Sequence, residues 1–274
     1  MRSIIAVTAI TALVIGLPAH AQWKQVPDKS IPRTTTGEPD LTAPVPRAAD
    51  GKPDLTGVWL PDADPPPEGV DFVEGHLPIP RHLLDVMADL EPGEVEMKPW
   101  VAELWEQRIA GRFGGRYLDS PLAYCKPWTV THLTANILPY KIVQTPDLIL
   151  ILNEQDTVFR QIFLDGREPV EDPVPRWLGY STGRWDDDEL VVDTTGLNDE
   201  GWLDASGHAQ SESLHLTERF RRRDTGHLEI ETTVDDPDAY SKPFSYTVTA
   251  TVMADDDLLE YFCTDNEISS DHYQ

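Results

Sequence analysis

Basic residues are scarce in this chain: 22 Lys and Arg stand against 48 Asp and Glu in 274 residues, a formal charge of −26. So acidic a balance argues against a grip on a phosphate backbone or an anionic lipid surface, and no nucleic-acid partner is expected. Long apolar runs are missing too. Beyond the N-terminus no stretch of about 18 apolar residues occurs, so no internal membrane span is expected. A Walker loop and a G-x-G-x-x-G after a strand are absent, which argues against nucleotide chemistry. Neither H-E-x-x-H nor C-x-x-C is present, so no metal and no cofactor are expected. Lysine is wanting between Lys141 and Lys242, where all eight bases are arginine. Arginine suits bidentate, half-buried pairing with carboxylates.

What is present begins with a leader. Arg2, an apolar stretch Ile4 to Leu17 and Ala19-His20-Ala21 read as a signal peptide over residues 1–21, which implies a periplasmic or secreted protein. In an oxidising compartment the two cysteines, Cys125 and Cys263, read as one disulfide. Residues 23–100 hold 14 of the 24 prolines, a density that suits neither helix nor central strand. Residues 22–54 therefore read as a proline-rich extended arm. The arm carries an echo, Gly37-Glu-Pro-Asp-Leu-Thr42 and Gly51-Lys-Pro-Asp-Leu-Thr56, whose second copy runs into Gly57-Val58-Trp59.

Residues 55–274 read as one β domain with a helical insertion at about 80–115. Apolar residues recur at helical spacing over Arg81–Leu90 and Pro99–Phe113. After Pro121 the period becomes two, most plainly in Phe244–Val252. Similar runs are Tyr140–Gln144, Leu148–Asn153, Val158–Leu164, Gly179–Trp185, Leu190–Thr194, Ser213–Arg222, His227–Val234 and Leu258–Cys263. With Trp59 that makes about ten strands. Short acidic links such as Asp186–Asp188 and Asp255–Asp257 favour antiparallel neighbours and read as solvated turns. The expected fold is mainly β: an antiparallel up-and-down barrel, lipocalin-like, or a sandwich, with two short helices before the main meander.

The alternation also singles out charges. Glu218 shares the apolar phase of Leu214, Leu216 and Phe220, and Arg160 shares that of Val158, Ile162 and Leu164. A carboxylate on an apolar face is either paired or perturbed, and perturbed carboxylates in cavities are functional candidates. Arg160 or Arg184 is its expected partner, as salt bridge or as anion clamp. The segment Gly201–Ser211 reads as a loop able to fold over an opening. It carries Trp202, Asp204 and His208, the last a candidate acid/base that Asp204 orients.

From Gly51 onward the chain resembles a family of uncharacterised exported bacterial proteins. The stretches that carry the resemblance are Asp50-Gly-Lys-Pro-Asp-Leu-Thr-Gly-Val-Trp59, Asp165-Gly-Arg167, Gly179-Tyr-Ser-Thr-Gly-Arg-Trp185, Leu190-Val-Val-Asp-Thr194, Trp202-Leu-Asp204 with Gly207-His208 and Ser211, Glu218-Arg219, Asp235-Asp-Pro237 with Tyr240 and Pro243, and Glu260-Tyr261 with Cys263. The resemblance implies export and no particular reaction. Gly57-Val58-Trp59 is also similar to the opening of lipocalin-type barrels.

These readings give an exported small-molecule enzyme with cofactor-free acid/base chemistry of a lyase, isomerase or hydrolase. Its catalytic residues are His208, Glu218 and Asp204, and its substrate-binding residues Arg160, Arg184, Tyr180, Trp202 and Trp177. The alternative is a non-catalytic periplasmic binding protein for an apolar, aromatic or sugar ligand. Either reading has a small molecule as its partner.

Overall fold

The computed structural model describes residues 27–63, 79–113 and 120–264. The leader at 1–21 lies outside them. Nine strands run in chain order around a closed barrel. They are β1 (Gly57–Pro61), β2 (Tyr140–Gln144), β3 (Leu148–Asn153), β4 (Phe159–Phe163), β5 (Tyr180–Asp186), β6 (Glu189–Thr195), β7 (His215–Arg222), β8 (His227–Asp235) and β9 (Phe244–Val252). Trp59 closes the ring by pairing with Tyr140 on β2 and Val252 on β9. The fold is thus the barrel and not the sandwich. Leu258–Cys263 forms no strand, because β1 already occupies the free edge of β9 and leaves no ladder to join.

One seam departs from the antiparallel meander. A crossover through residues 164–179 makes β4 and β5 parallel, and they pair only at Ile162–Ser181 and Phe163–Thr182. Ahead of those pairs the two strands diverge, so Phe159 to Gln161 have no ladder partner on the β5 side.

Helices close one end of the barrel. They are α1 (Arg81–Leu84), α2 (Pro99–Phe113) and α3 (Val130–Thr134). The stripe expected over Arg81–Leu90 yields only one turn of helix, and the reason is a side chain far away in sequence. Val86 N–H donates to Asp204 Oδ2 at 3.0 Å and Met87 N–H to Asp85 Oδ1 at 2.8 Å. Those donors are lost to the i−4 carbonyls that would extend the helix. No helix among the described residues is long and apolar enough to cross a membrane.

The arm closes the other end. Each echo makes the same tight turn: Thr34 N–H bonds to Glu38 O and Gly37 N–H to Thr34 O, and Ala48 N–H to Lys52 O and Gly51 N–H to Ala48 O. Gly37 and Gly51 take φ of 91° and 83°, the left-handed region glycine supplies. The arginine ahead of each turn then clamps an acidic hairpin. Arg33 pairs with Asp255 at 2.5 Å and Arg47 with Asp188 at 2.6 Å. The acidic turns are therefore pinned rather than merely solvated. Each clamp is solvent-screened and contributes little by itself. Burial of Ile31 and Leu55 against the barrel core holds the arm more firmly. Arg222, on the same inward phase as Glu218, ties arm to barrel. Its guanidinium donates to the carbonyls of Asp54, Thr56, Asp224 and Thr225 and lies 4.9 Å from the Trp59 ring. Burial pulls it down to about 10 against the opposing charges of Asp54 and Asp224.

Cys125 and Cys263 form the disulfide, joining positions 138 residues apart with Cα atoms 5.5 Å apart. By loop entropy it contributes up to about 5 kcal/mol. Replacing both cysteines by Ser is expected to move the urea midpoint down markedly, and an unchanged midpoint would show that the bridge constrains little.

Candidate functional site

Inside the barrel two apolar clusters face each other along the axis. The arm-side cluster gathers Leu55, Trp59, Ile142, Ile162, Phe220 and Ile230. The helix-side cluster gathers Val101, Val130, Leu203, Leu216, Val234 and Phe244. On β7 the inward residue between Leu216 and Phe220 is Glu218, and on β8 the one between Ile230 and Val234 is Thr232. A polar belt thus separates the clusters.

The centre of the belt is an ion pair. Arg160 donates from Nη1 to Glu218 Oε1 at 3.0 Å and from Nη2 to Glu218 Oε2, and both side chains are 1% exposed. Arg160 also donates from Nε to Ser181 Oγ at 3.1 Å and from Nη2 to Thr194 Oγ1 at 2.8 Å. Ser181 and Thr194 bond each other at 2.9 Å. The inward residues of β5 are small, Ser181 beside the guanidinium and Gly183 beside the apolar neighbours of Arg160 on the next strand. A Cβ on Gly183 would stand 2.7 Å from Leu164 and 2.9 Å from Ile162. Arg160 is therefore the partner of Glu218, while Arg184 lies outside the barrel, 64% exposed and paired with Asp193 at 2.8 Å. Two further belt groups, Tyr140 Oη and Asn153 Nδ2, are buried without a hydrogen-bond partner. Burial, then the charges of Asp62 and Glu218, hold the Tyr140 phenol far above its usual range.

Asp204 and His208 form a second buried group, at the helix end. The loop that carries them is folded inward, with Trp202, Leu203, Asp204, His208 and Ala209 all buried and Trp202 bridged to Ala209. Asp204 builds its own turn, accepting from the N–H of Gly207 at 3.0 Å and of His208 at 3.2 Å through Oδ1. Gly207 turns back at φ 91°. Asp204 Oδ2 accepts from Val86 N–H and, at 2.5 Å, from His208 Nδ1. The Nε2 of His208 has no hydrogen-bond partner among the described residues. Trp105 stacks on the imidazole at 5.5 Å. Asp85 Oδ1 lies 3.9 Å from Nδ1, and Arg108 donates to Gly207 O at 2.8 Å. Burial pulls the imidazole down, but the hydrogen bond and charge of Asp204 and the charge of Asp85 outweigh it, even against Arg108, and His208 is raised above its ordinary value.

The sequence-derived residues thus fall into three places. Glu218 and Arg160 form the belt; Asp204, His208 and Trp202 form the loop at the helix end; Tyr180 and Trp177 join Arg160 along a cleft where β4 and β5 diverge. Glu218 and His208 are bound to different partners, Arg160 and Asp204 respectively. Trp202 lies under Arg108, 4.3 Å from its guanidinium carbon. The sequence does not place Asp85, Trp105 and Arg108 at the site, because Asp85 lies within one apolar helix stripe, Trp105 reads as core packing on a second, and Arg108 sits on that same helix. One group among the described residues, Asp85, Asp204 and His208, brings three metal-type ligand atoms within 4.8 Å of one another. In it Nδ1 and Oδ2 are spent on each other in a hydrogen bond.

No protein-family model, no curated protein and no solved structure matches this chain.

Proposed function

We propose that the protein is an exported small-molecule enzyme whose proton-moving group is His208, oriented by Asp204. One observation carries this reading. Nδ1 of the imidazole is locked onto a fully buried carboxylate while Nε2 has no partner among the described residues. That arrangement fixes one tautomer and presents a lone pair at Nε2 to a substrate proton. When Nε2 takes the proton, Asp204 stabilises the imidazolium, and the proton can be returned to product. The chemistry is that of a lyase, isomerase or hydrolase without a cofactor. Glu218, with both oxygens held by Arg160, enters as a wall of the barrel interior rather than as a proton carrier. The leader-like N-terminus and the disulfide support export to the periplasm or beyond.

The experiment is to incubate the purified protein with a mixed small-molecule extract and follow depletion by mass spectrometry, with His208→Gln beside it. Wild type is expected to convert a compound that the variant leaves untouched at an unchanged melting temperature. Equal turnover by the two overturns the assignment of His208. Saturable binding with no turnover would favour a binding protein instead, for which the aromatic cleft at the β4–β5 seam is the specific support.

A further inference from the structure

The cleft at the seam carries an inference that does not depend on the dyad. It has a volume of about 490 Å³, within the range of small-molecule sites. Its origin is topological. The two parallel strands pair at only two positions, so the stretch Phe159–Gln161 and the stretch Arg176–Tyr180 separate and leave a gap between them.

The walls are aromatic. Phe159 is 59% exposed, Phe163 stacks on Tyr180 at 5.4 Å, and Trp177 stands across from them in the lining. The charge of the lining is more telling. Acids outnumber bases 48 to 22 in the chain, yet the lining contains no Asp or Glu and two arginines. Arg160, at the floor, is already neutralised by Glu218. Arg176 is not neutralised. Its backbone bonds to Gly196 and Asn198, but its guanidinium has no hydrogen bond and no ion pair with any described residue. Arg33, Arg47, Arg81, Arg167, Arg184, Arg219 and Arg223 all have carboxylate partners. The two other cations at the rim are engaged: Arg167 pairs with Asp165 over the Phe163 ring and Lys126 with Glu200 beside the Trp177 ring.

We propose that this cleft binds a small aromatic carboxylate, its ring held between Phe159, Trp177 and Tyr180 and its carboxylate on Arg176. A planar ring stacks favourably on aromatic walls, and a guanidinium receives a carboxylate through two parallel N–H donors. An unpaired cation in a strongly acidic protein also favours an anion in this cleft.

Benzoate is the probe, with benzamide and inorganic phosphate as controls, read by tryptophan fluorescence and calorimetry on the full chain. Benzoate is expected to bind saturably at one site, with Arg176→Gln weakening it about tenfold, the scale of one charge-assisted hydrogen bond. Benzamide is expected to bind at least tenfold more weakly, and His208→Gln to bind benzoate as wild type does. Phe159→Ala is expected to weaken benzoate with no change in melting temperature. No saturable benzoate binding, or equal binding by Arg176→Gln, overturns the site. Phosphate that competes as well as benzoate overturns the aromatic assignment. Loss of binding in His208→Gln would place the ligand at the dyad and overturn the cleft.

Discussion

Replacing Glu218 by Gln, or Arg160 by Met, is expected to destabilise the protein by about 3–5 kcal/mol, the scale of breaking a buried ion pair by removing one partner. Both side chains are 1% exposed, so the survivor faces no water to compensate it. In the first variant the guanidinium keeps Ser181 and Thr194 but loses its counter-charge. In the second the carboxylate loses every hydrogen bond it has in the structure. The double variant Arg160→Met with Glu218→Leu is expected to recover most of the loss, since hydrophobic groups of similar volume extend the two clusters that the belt now separates. Urea unfolding of wild type, Arg160→Met, Glu218→Leu and this double variant closes a double-mutant cycle. Additive losses in the double variant would show that the pair is not coupled and that the belt is held together by other contacts.

The pair was half legible in the sequence. Strict alternation on β7 puts Glu218 among Leu216 and Phe220, and burial follows that pattern along the strand. Choosing between Arg160 and Arg184 needed the phase of β5, which hydropathy obscures. Its inward positions include Ser181, whose hydroxyl accepts from the guanidinium of the next strand, and Gly183, which has no side chain to reveal the phase, while Tyr180, Thr182 and Arg184 face the other way. The closed barrel could be anticipated because short acidic links join most of the strands. Its one parallel seam could not, since a run of residues such as 164–179 reads as a long loop whichever way it crosses. The same limit applies to α1. Its apolar spacing promises nearly three turns, but a carboxylate 118 residues away takes the N–H of Val86. Local pattern carries no trace of that competition. The arm reads as extended from its prolines, and its docking depends on Arg222, Leu41 and the hairpin at Gly226, which only the assembled barrel brings together.

Asp204→Asn is expected to lower turnover by about 10²–10⁴-fold, the scale of general acid–base catalysis. The oxygen of an asparagine can keep the N–H groups of Gly207 and His208, but its amide would then face Nδ1 of His208 and the N–H of Val86 as a donor. The imidazole would have to accept at Nδ1 and carry its proton at Nε2, the wrong tautomer for a base there. The orphaned Val86 N–H costs about 1–3 kcal/mol, so a lower melting temperature is expected alongside the loss of rate.

The direction of the pH effect follows from the same contacts. Asp204 and Asp85 face the imidazole with negative charge, Arg108 with positive charge, and Trp105 with a neutral ring. The net result raises His208, so its protonated form is favoured by folding. The stability it contributes is complete below the ordinary imidazole value of about 6.5 and is lost as pH rises through the raised value. Activity as a base runs the other way and appears as pH climbs through that same raised value.

The most direct measurement is a long-range ¹⁵N–¹H NMR titration of the His208 ring, which needs no substrate. The account predicts a neutral form protonated at Nδ1, a midpoint above about 6.5 in wild type, and a fall of that midpoint in Asp204→Asn. A neutral form protonated at Nε2, or a wild-type midpoint at or below about 6.5, would contradict it.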